Sequence, residues 1–270
     1  MLTFIPTPIG NPQDITIRAL RYFEQATLFL CEDTRETKRL LSILEERFDF
    51  TYPKVEFLSF HEHNGATRLV EISERLSTEN VVYVSDAGMP IISDPGQILV
   101  EYCQKNSIEY DVLPGASAVT TAYAASGFEE GRFLFFGFLP HKGSERSSLL
   151  IEAMNRMDNI ILYEAPHRIE KLIEEIALID ESREVFFAKE LSKKFQNYYR
   201  GTAKELLEQF KSINSKGEWV VVIQAKKEQA QALYVEDILA FDLQPKVKAK
   251  LLAKITDKSV KSWYQELIKR

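Results

Sequence analysis

The sequence predicts an α/β protein of two domains, each a sheet covered by helices, followed by a small helical extension. Three observations predict it. Short apolar runs rich in β-branched and aromatic residues, such as Val81–Val84 and Trp219–Ile223, alternate with stretches whose apolar residues recur at helical spacing. The runs are too short and too apolar for surface strands, so helices must cover them. Polar segments containing Gly and Pro follow the strands directly, on the side where α/β sheets hold ligands.

In chain order, Leu2–Ile5 is a strand leading into a constrained turn at residues 6–12. Asp14 is a candidate cap for a helix with Ile17, Leu20 and Phe23 on one stripe. A strand at 26–31 runs into Glu32-Asp33-Thr34-Arg35, where Thr34 could cap a helix burying Leu40, Leu41 and Leu44. A strand at 57–60 ends in His61-Glu62-His63-Asn64, before a helix with Leu69, Ile72 and Leu76. Strand 81–84 meets the most elaborate loop, residues 85–96, with Asp86, Gly88, Asp94 and Gly96. A helix around 98–103, a strand at 110–113 and a small-residue helix at 118–126 complete the first pattern.

The second pattern has strands at 133–136, 160–163, 185–188 and 219–223, with helices marked by Ile169, Leu172, Ile173 and Ile176 and by Leu206, Leu207 and Phe210. Expected domains are therefore 1–116, 117–228 and an extension at 229–270. A helix is expected at 229–243. Beyond it, Val247, Leu251, Leu252 and Ile255 would form one inner stripe, and Val260, Trp263, Tyr264 and Leu267 another.

Composition narrows the function classes. Hydrophobic residues make up 45% and charged residues 27% of 270, a soluble globular balance, and no apolar run could span a membrane. The start of the chain lacks a secretory pattern, and Cys31 and Cys103 are too few for a disulfide framework, so a cytoplasmic location is expected. Net charge is -6, yet residues 241–270 carry eight Lys or Arg against three acids, which leaves -11 on the rest. That basic end suits either phosphate contact or a solvated helical surface.

The polar clusters admit more than one role. Glu32 and Asp33 suit acid/base work, though Asp33 could equally start a helix. His61 and His63 lack a third ligand at metal-site spacing, so no metal is expected. Arg35 and Arg168 could hold a phosphate or balance a carboxylate. Residues 6–12 have neither phosphate-loop nor dinucleotide spacing, and there is no serine nucleophile elbow.

In their order, these clusters resemble the tetrapyrrole methylase superfamily, and within it the branch acting on small-subunit ribosomal RNA. The matching pieces are Thr7-Pro8-Ile9-Gly10-Asn11, Glu32-Asp33-Thr34-Arg35, His61-Glu62-His63-Asn64, Ser85-Asp86-Ala87-Gly88, Leu113-Pro114-Gly115-Ala116-Ser117-Ala118, Gly137-Phe138-Leu139-Pro140 and Tyr163-Glu164-Ala165-Pro166-His167-Arg168. Ala116, Lys189 and Gln196 depart from the usual pattern. The resemblance implies a class III methyltransferase fold with S-adenosylmethionine between its two domains. It also implies 2'-O-methylation of a cytidine in the decoding region of 16S rRNA, within the small ribosomal subunit, by a homodimer. Neither membrane nor DNA is expected as a partner.

The cofactor is expected at Pro8, Ile9, Gly10, Asp86, Ala87, Gly88, Met89, Ile91, Ser117, Ala118, Tyr163, Glu164 and Ala165. Asp94 is the weaker aspartate of its loop. RNA is expected at Asn11, Arg18, Arg35, Asn64, Lys142, Arg146, His167 and Arg168, and the proton acceptor at Glu32, Asp33 or His61. Two rivals are a methylase of the same fold acting on a small tetrapyrrole and a non-catalytic RNA-binding module.

Overall fold

A computed structural model describes residues 1–61, 63–93, 96–129, 131–226 and 234–269. Glu62, Asp94 and Pro95 lie outside the described residues, as do 227–233 from the expected helix at 229–243. The chain forms two compact units, Met1–Lys226 and Lys227–Arg270.

The first sheet contains β1 (Leu2–Ile5), β2 (Leu28–Cys31), β3 (Glu56–Ser59), β4 (Val81–Val84) and β5 (Tyr110–Val112). Its order is β3-β2-β4-β1-β5, and every pair is parallel. Successive side chains point to opposite faces, and both faces are covered. Phe29, Cys31, Val82 and Val84 pack with Ala19 and Phe23 of α1 (Ile17–Gln25) and with Leu41 and Leu44 of α2 (Thr34–Arg47). Leu28, Leu30, Val81 and Tyr83 meet Ile72 of α3 (Gly65–Ile72), Leu76 of α4 (Arg75–Thr78), and Leu99 and Cys103 of α5 (Gln97–Lys105). This two-sided burial explains the unbroken apolar runs, with each buried Leu, Ile or Phe contributing roughly 1.5–3 kcal/mol.

Neighbouring strands β1 and β4 lead to helices on opposite faces: α1 joins one core cluster and α5 the other. Their loops therefore part at the carboxyl ends of the strands, which is where an open α/β sheet forms its crevice. Local capping differs from expectation. Thr16 caps α1 by accepting from the Ala19 N–H, while Asp14 sits in a 3-10 turn, Pro12–Asp14, capped by Asn11. Asp33, rather than Thr34, caps α2.

The second half contains α6 (Ala118–Ser126), β6 (Phe133–Phe138), α7 (Ser144–Met154), β7 (Asn159–Glu164), α8 (Ile169–Ile179), β8 (Glu184–Lys189), β9 (Asn197–Thr202), α9 (Ala203–Phe210) and β10 (Trp219–Ile223). The sheet runs β6-β7-β10-β8-β9, with β6–β7 parallel and the other pairs antiparallel. Leu162, Phe187 and Val221 face α7, α8 and α9, whereas Ile161, Phe186 and Val222 face Val119 and Ala122 of α6, together with Ile9 from the first half. Two elements were not expected. Edge strand β9 is half-exposed and lacks an apolar run, and α7 has a buried arginine, Arg146, in what would otherwise be an apolar stripe.

Gly10 belongs to the joint between these halves. A Cβ there would lie 2.5 Å from Lys193 Cγ and 2.8 Å from the Leu191 carbonyl oxygen. Beside it, the Asn11 N–H donates to Ser192 Oγ at 3.3 Å, and the Ser192 hydroxyl donates to the Asp14 carboxylate.

The smaller unit holds α10 (Val235–Ala240), α11 (Pro245–Ile255) and α12 (Val260–Lys269) around Ile238, Ala249, Leu252 and Trp263. The expected stripes are corrected here: Val247, Ile255, Val260 and Tyr264 are 40–46% exposed. Three short helices bury a narrow seam at Trp263, whose ring N–H donates to Thr256 Oγ1 at 2.7 Å.

Candidate active site

The crevice wall after β4 is built by backbone geometry. Thr7 and Gly88 exchange N–H···O bonds of 3.0 and 2.9 Å, while Thr7 Oγ1 donates to the Ser85 carbonyl at 3.2 Å. These bonds tie the loops after β1 and β4 together. Gly88 has φ +83°, and a Cβ on it would stand 3.1 Å from Ile9 Cγ2. Ile91 follows at φ 76°, a conformation that a β-branched residue rarely adopts. Its side chain packs on the core beneath rather than into the crevice.

Three carboxylates converge where β2 and β4 end side by side. Asp86 Oδ1 accepts the Asp33 N–H at 3.1 Å, and the Asp86 N–H points to Glu32 Oε2 at 3.5 Å. Burial, and then the Glu32 charge, raise the Asp86 carboxyl above its ordinary range. Asp33 is held differently. Its carboxylate accepts the Arg35 N–H at 2.8 Å and the Arg35 guanidinium at 2.7 Å, which lowers it to about 2. Cys31, just before them, is buried and pushed up to about 12 by that burial, so it is no thiolate nucleophile at neutral pH.

The opposing wall comes from the second half and is built on ion pairs. Glu164 ends β7 with a fully buried side chain. Its Oε2 accepts Arg146 Nη2 at 2.9 Å, and its Oε1 accepts Arg168 Nη2 at 2.6 Å and the Ala165 N–H at 2.9 Å. Arg146 Nε also donates to Glu175 at 2.8 Å. A further support is Lys189, whose ammonium lies 5.5 Å from the Trp219 ring centroid.

Between the walls lies a cleft of about 540 Å³, lined by Ile9, Glu32, Asp86, Ala87, Ser93, Ala118, Phe138, residues 163–166 and residues 218–220. A smaller cavity of about 60 Å³ adds Gly88, Met89, Ile92 and Ser117. Of the expected cofactor residues, Pro8, Gly10 and Ile91 line neither cavity, and Glu164 lines the cleft with both carboxylate oxygens already bonded. Phe138, Pro166, Glu218, Trp219 and Val220 were missed, as were Ile92 and Ser93. Phe138, an apolar residue in the Gly137-Phe138-Leu139-Pro140 segment after the expected strand, was a usable signal. Glu218 and Trp219 were not legible, because only the antiparallel register that pairs Trp219 with Glu164 brings them here.

The expected RNA residues are scattered. Arg18 pairs with Asp111 at 3.1 Å, and Arg35 is exposed beside Asp33. Lys142 and His167 are exposed, and the His141 and His167 rings lie 6.3 Å apart. Asn64 instead holds its own loop, accepting the His61 N–H at 2.9 Å and donating to Ser59. His61 lines neither cavity. Arg146 is corrected: at 1% exposure it is an interior group rather than a surface contact, because two carboxylates and a carbonyl draw it inward. Among the described residues, no His, Cys, Asp and Glu cluster is arranged to hold a metal ion, and no helix is long and apolar enough to cross a membrane.

A family model described as Tetrapyrrole (Corrin/Porphyrin) Methylases matches residues 1–207. Ribosomal RNA small subunit methyltransferase I of Campylobacter fetus subsp. fetus is 45% identical over 270 residues, covering 99% of this chain and 100% of its own. The Helicobacter pylori J99 protein with that name is 42% identical over 277 residues, covering 98% and 96%. A solved diphthine synthase superposes with a TM-score of 0.63 at 15% identity, covering 83% of this chain and 90% of that one. A Thermus thermophilus uroporphyrin-III C-methyl transferase, complexed with S-adenyl homocysteine, gives 0.54 at 14% identity, covering 82% and 96%. The structural likenesses agree with the expected class III methyltransferase fold. With two sheets, a cleft walled by both and a match over most of its length, the chain belongs to the tetrapyrrole (corrin/porphyrin) methylase family.

Proposed function

We propose that the protein transfers a methyl group from S-adenosylmethionine to the ribose 2'-oxygen of a cytidine in the decoding region of 16S rRNA. It acts on the small ribosomal subunit, in the cytoplasm and as a homodimer. The observation that carries this reading is the likeness, over essentially the whole length, to proteins named ribosomal RNA small subunit methyltransferase I.

The cleft suits the cofactor. Its volume falls in the range of roughly 300–1,000 Å³ usual for ligand sites. Glu32 and Asp86 line it together with the aromatic residues Phe138 and Tyr163, whose rings lie 5.5 Å apart, a set that fits a cationic ligand carrying a planar base. The helix α6 begins at Ser117 without a side-chain cap, so its first N–H groups are open to an acceptor. Ile9, Ala87, Gly88, Met89, Ser117, Ala118, Tyr163 and Ala165 would hold the ligand through backbone and apolar contact.

The cofactor supplies an activated methyl on a sulfonium. The chain's own task is alignment, worth several kcal/mol when the geometry is in line, and removal of a proton. Glu32 takes the hydroxyl proton in this reading, because it lines the cleft and Asp33 is committed to capping α2 and binding Arg35. His61 and Asn64 then shape the loop beside the acceptor, with Asn11, Arg18, Arg35, Lys142 and His167 on the RNA side, whereas Arg168 is drawn inward by Glu164. Exposed cations among these engage phosphate locally despite the acidic body.

Small subunits incubated with methyl-labelled S-adenosylmethionine should acquire label on one cytidine ribose, identified after nuclease digestion. Label on a base, or on a tetrapyrrole acceptor in place of RNA, would overturn the assignment.

A further inference from the structure

We propose that Arg146 is a positioning residue for methyl transfer: through Glu164 it sets both cleft-wall segments contributed by the second half. The inference rests on the methyltransferase reading above and goes beyond it.

The bonding of Arg146 carries the argument. All three of its nitrogens are used: Nη2 on Glu164, Nε on Glu175, and Nη1 on the Pro140 carbonyl at 3.2 Å. Arg168 runs alongside with less complete bonding. It bonds Glu164 and the Leu139 carbonyl, while its Nε is buried without a partner. The two carbonyls immediately follow Phe138, which lines the cleft, and Glu164 lies between Tyr163 and Ala165, which also line it. A single planar guanidinium therefore spans the end of β6, the end of β7 and helix α8. Lysine, with one flexible ammonium, cannot satisfy these three directions together.

The side chain is 1% exposed, so it meets neither bulk water nor phosphate. Its charge is taken up by Glu164 and Glu175, which Arg168 and the more exposed Lys171 also approach, at 2.6 and 3.6 Å. Its effect on methyl transfer must pass through the wall segments.

The experiment uses the full chain and variants Arg146→Lys, Glu175→Gln and Lys142→Ala, each measured well below its own melting temperature. S-adenosylhomocysteine affinity is read by calorimetry, and KM for S-adenosylmethionine and kcat by methyl transfer to small subunits. Small-subunit affinity is followed as a function of salt. Arg146→Lys should weaken S-adenosylhomocysteine binding about tenfold or more and raise KM more than it lowers kcat, with small-subunit affinity and its salt slope unchanged. Glu175→Gln, which removes only the outer partner, should produce the same pattern at about threefold. Should Arg146→Lys fail to fold, this second variant decides alone. Lys142→Ala, exposed on the adjoining loop, should leave S-adenosylhomocysteine affinity unchanged.

A folded Arg146→Lys with unaltered cofactor affinity and KM would overturn the proposal, showing a merely structural residue. Weaker, less salt-dependent subunit binding at unchanged cofactor affinity would overturn it in favour of RNA contact. A wild-type chain that does not bind S-adenosylhomocysteine sinks the methyltransferase reading itself, whatever the variants do.

Discussion

The two walls of the cleft are built by different physics. The wall from the parallel sheet is a matter of backbone conformation: Gly88 and Ile91 at positive φ, and Thr7 and Gly88 bridged main chain to main chain. The wall from the mixed sheet depends on side-chain charge, with Glu164 buried between Arg146 and Arg168. Backbone geometry tolerates loss of side-chain groups but not an added Cβ. A buried ion network tolerates small changes of shape but not loss of one charge.

That contrast is sharpest under truncation. Arg146→Ala would strip Glu164 and Glu175 of a shared partner and should cost about 3–5 kcal/mol, read by urea denaturation. A loss below about 1 kcal/mol would mean that Arg168 alone holds the wall. At the joint between the halves, Gly10→Ala should cost about 1–3 kcal/mol, because the new Cβ meets main chain at Leu191 and Lys193 rather than yielding side chain alone. Gly88→Ala should cost about 1–2 kcal/mol from its left-handed backbone, with cofactor affinity falling in parallel. Unchanged affinity in a folded Gly88→Ala protein would remove that loop from the cofactor site. Away from both walls, Thr202→Ala breaks the capping box of α9 and should cost about 1 kcal/mol without touching cofactor binding.

The smallest effect expected is a pH dependence of the first wall. Burial and Glu32 raise the Asp86 carboxyl in the fold, so the fold favours its neutral form. Its contribution to stability is therefore complete below the ordinary value of 3.8 and is lost as pH rises through the raised value. Asp86→Asn should flatten that part of the stability curve while weakening cofactor binding; an unchanged curve would show that Asp86 is solvated like a surface carboxylate. Asp33 has the opposite sign. It is held at about 2, so its contribution persists above 3.8 and fades as pH falls through about 2.

Much of the first wall was legible in the chain because its cause is local. A strand followed by Gly88 and a proline pair reads as a shaped loop, and Asp86, Ala87, Gly88 and Met89 do line the cavities. The second wall was legible only in part. Tyr163, Glu164 and Ala165 were singled out, but Arg146 was expected on the RNA side, since a charged residue in a polar segment reads as exposed. Gly10, expected at the cofactor, lines neither cavity, and a Cβ there would meet residues 191–193.

By itself the sequence determined the α/β class, nine of the ten strands among the described residues and the loops that carry chemistry, because periodicity, turn residues and local apolar runs act over a few residues. Only the tertiary structure decided strand order, the antiparallel register that sets Trp219 opposite Glu164, and which arginines face inward. Pairing partners and the satisfaction of a buried charge depend on groups distant in the chain, and no local pattern records which of them will meet.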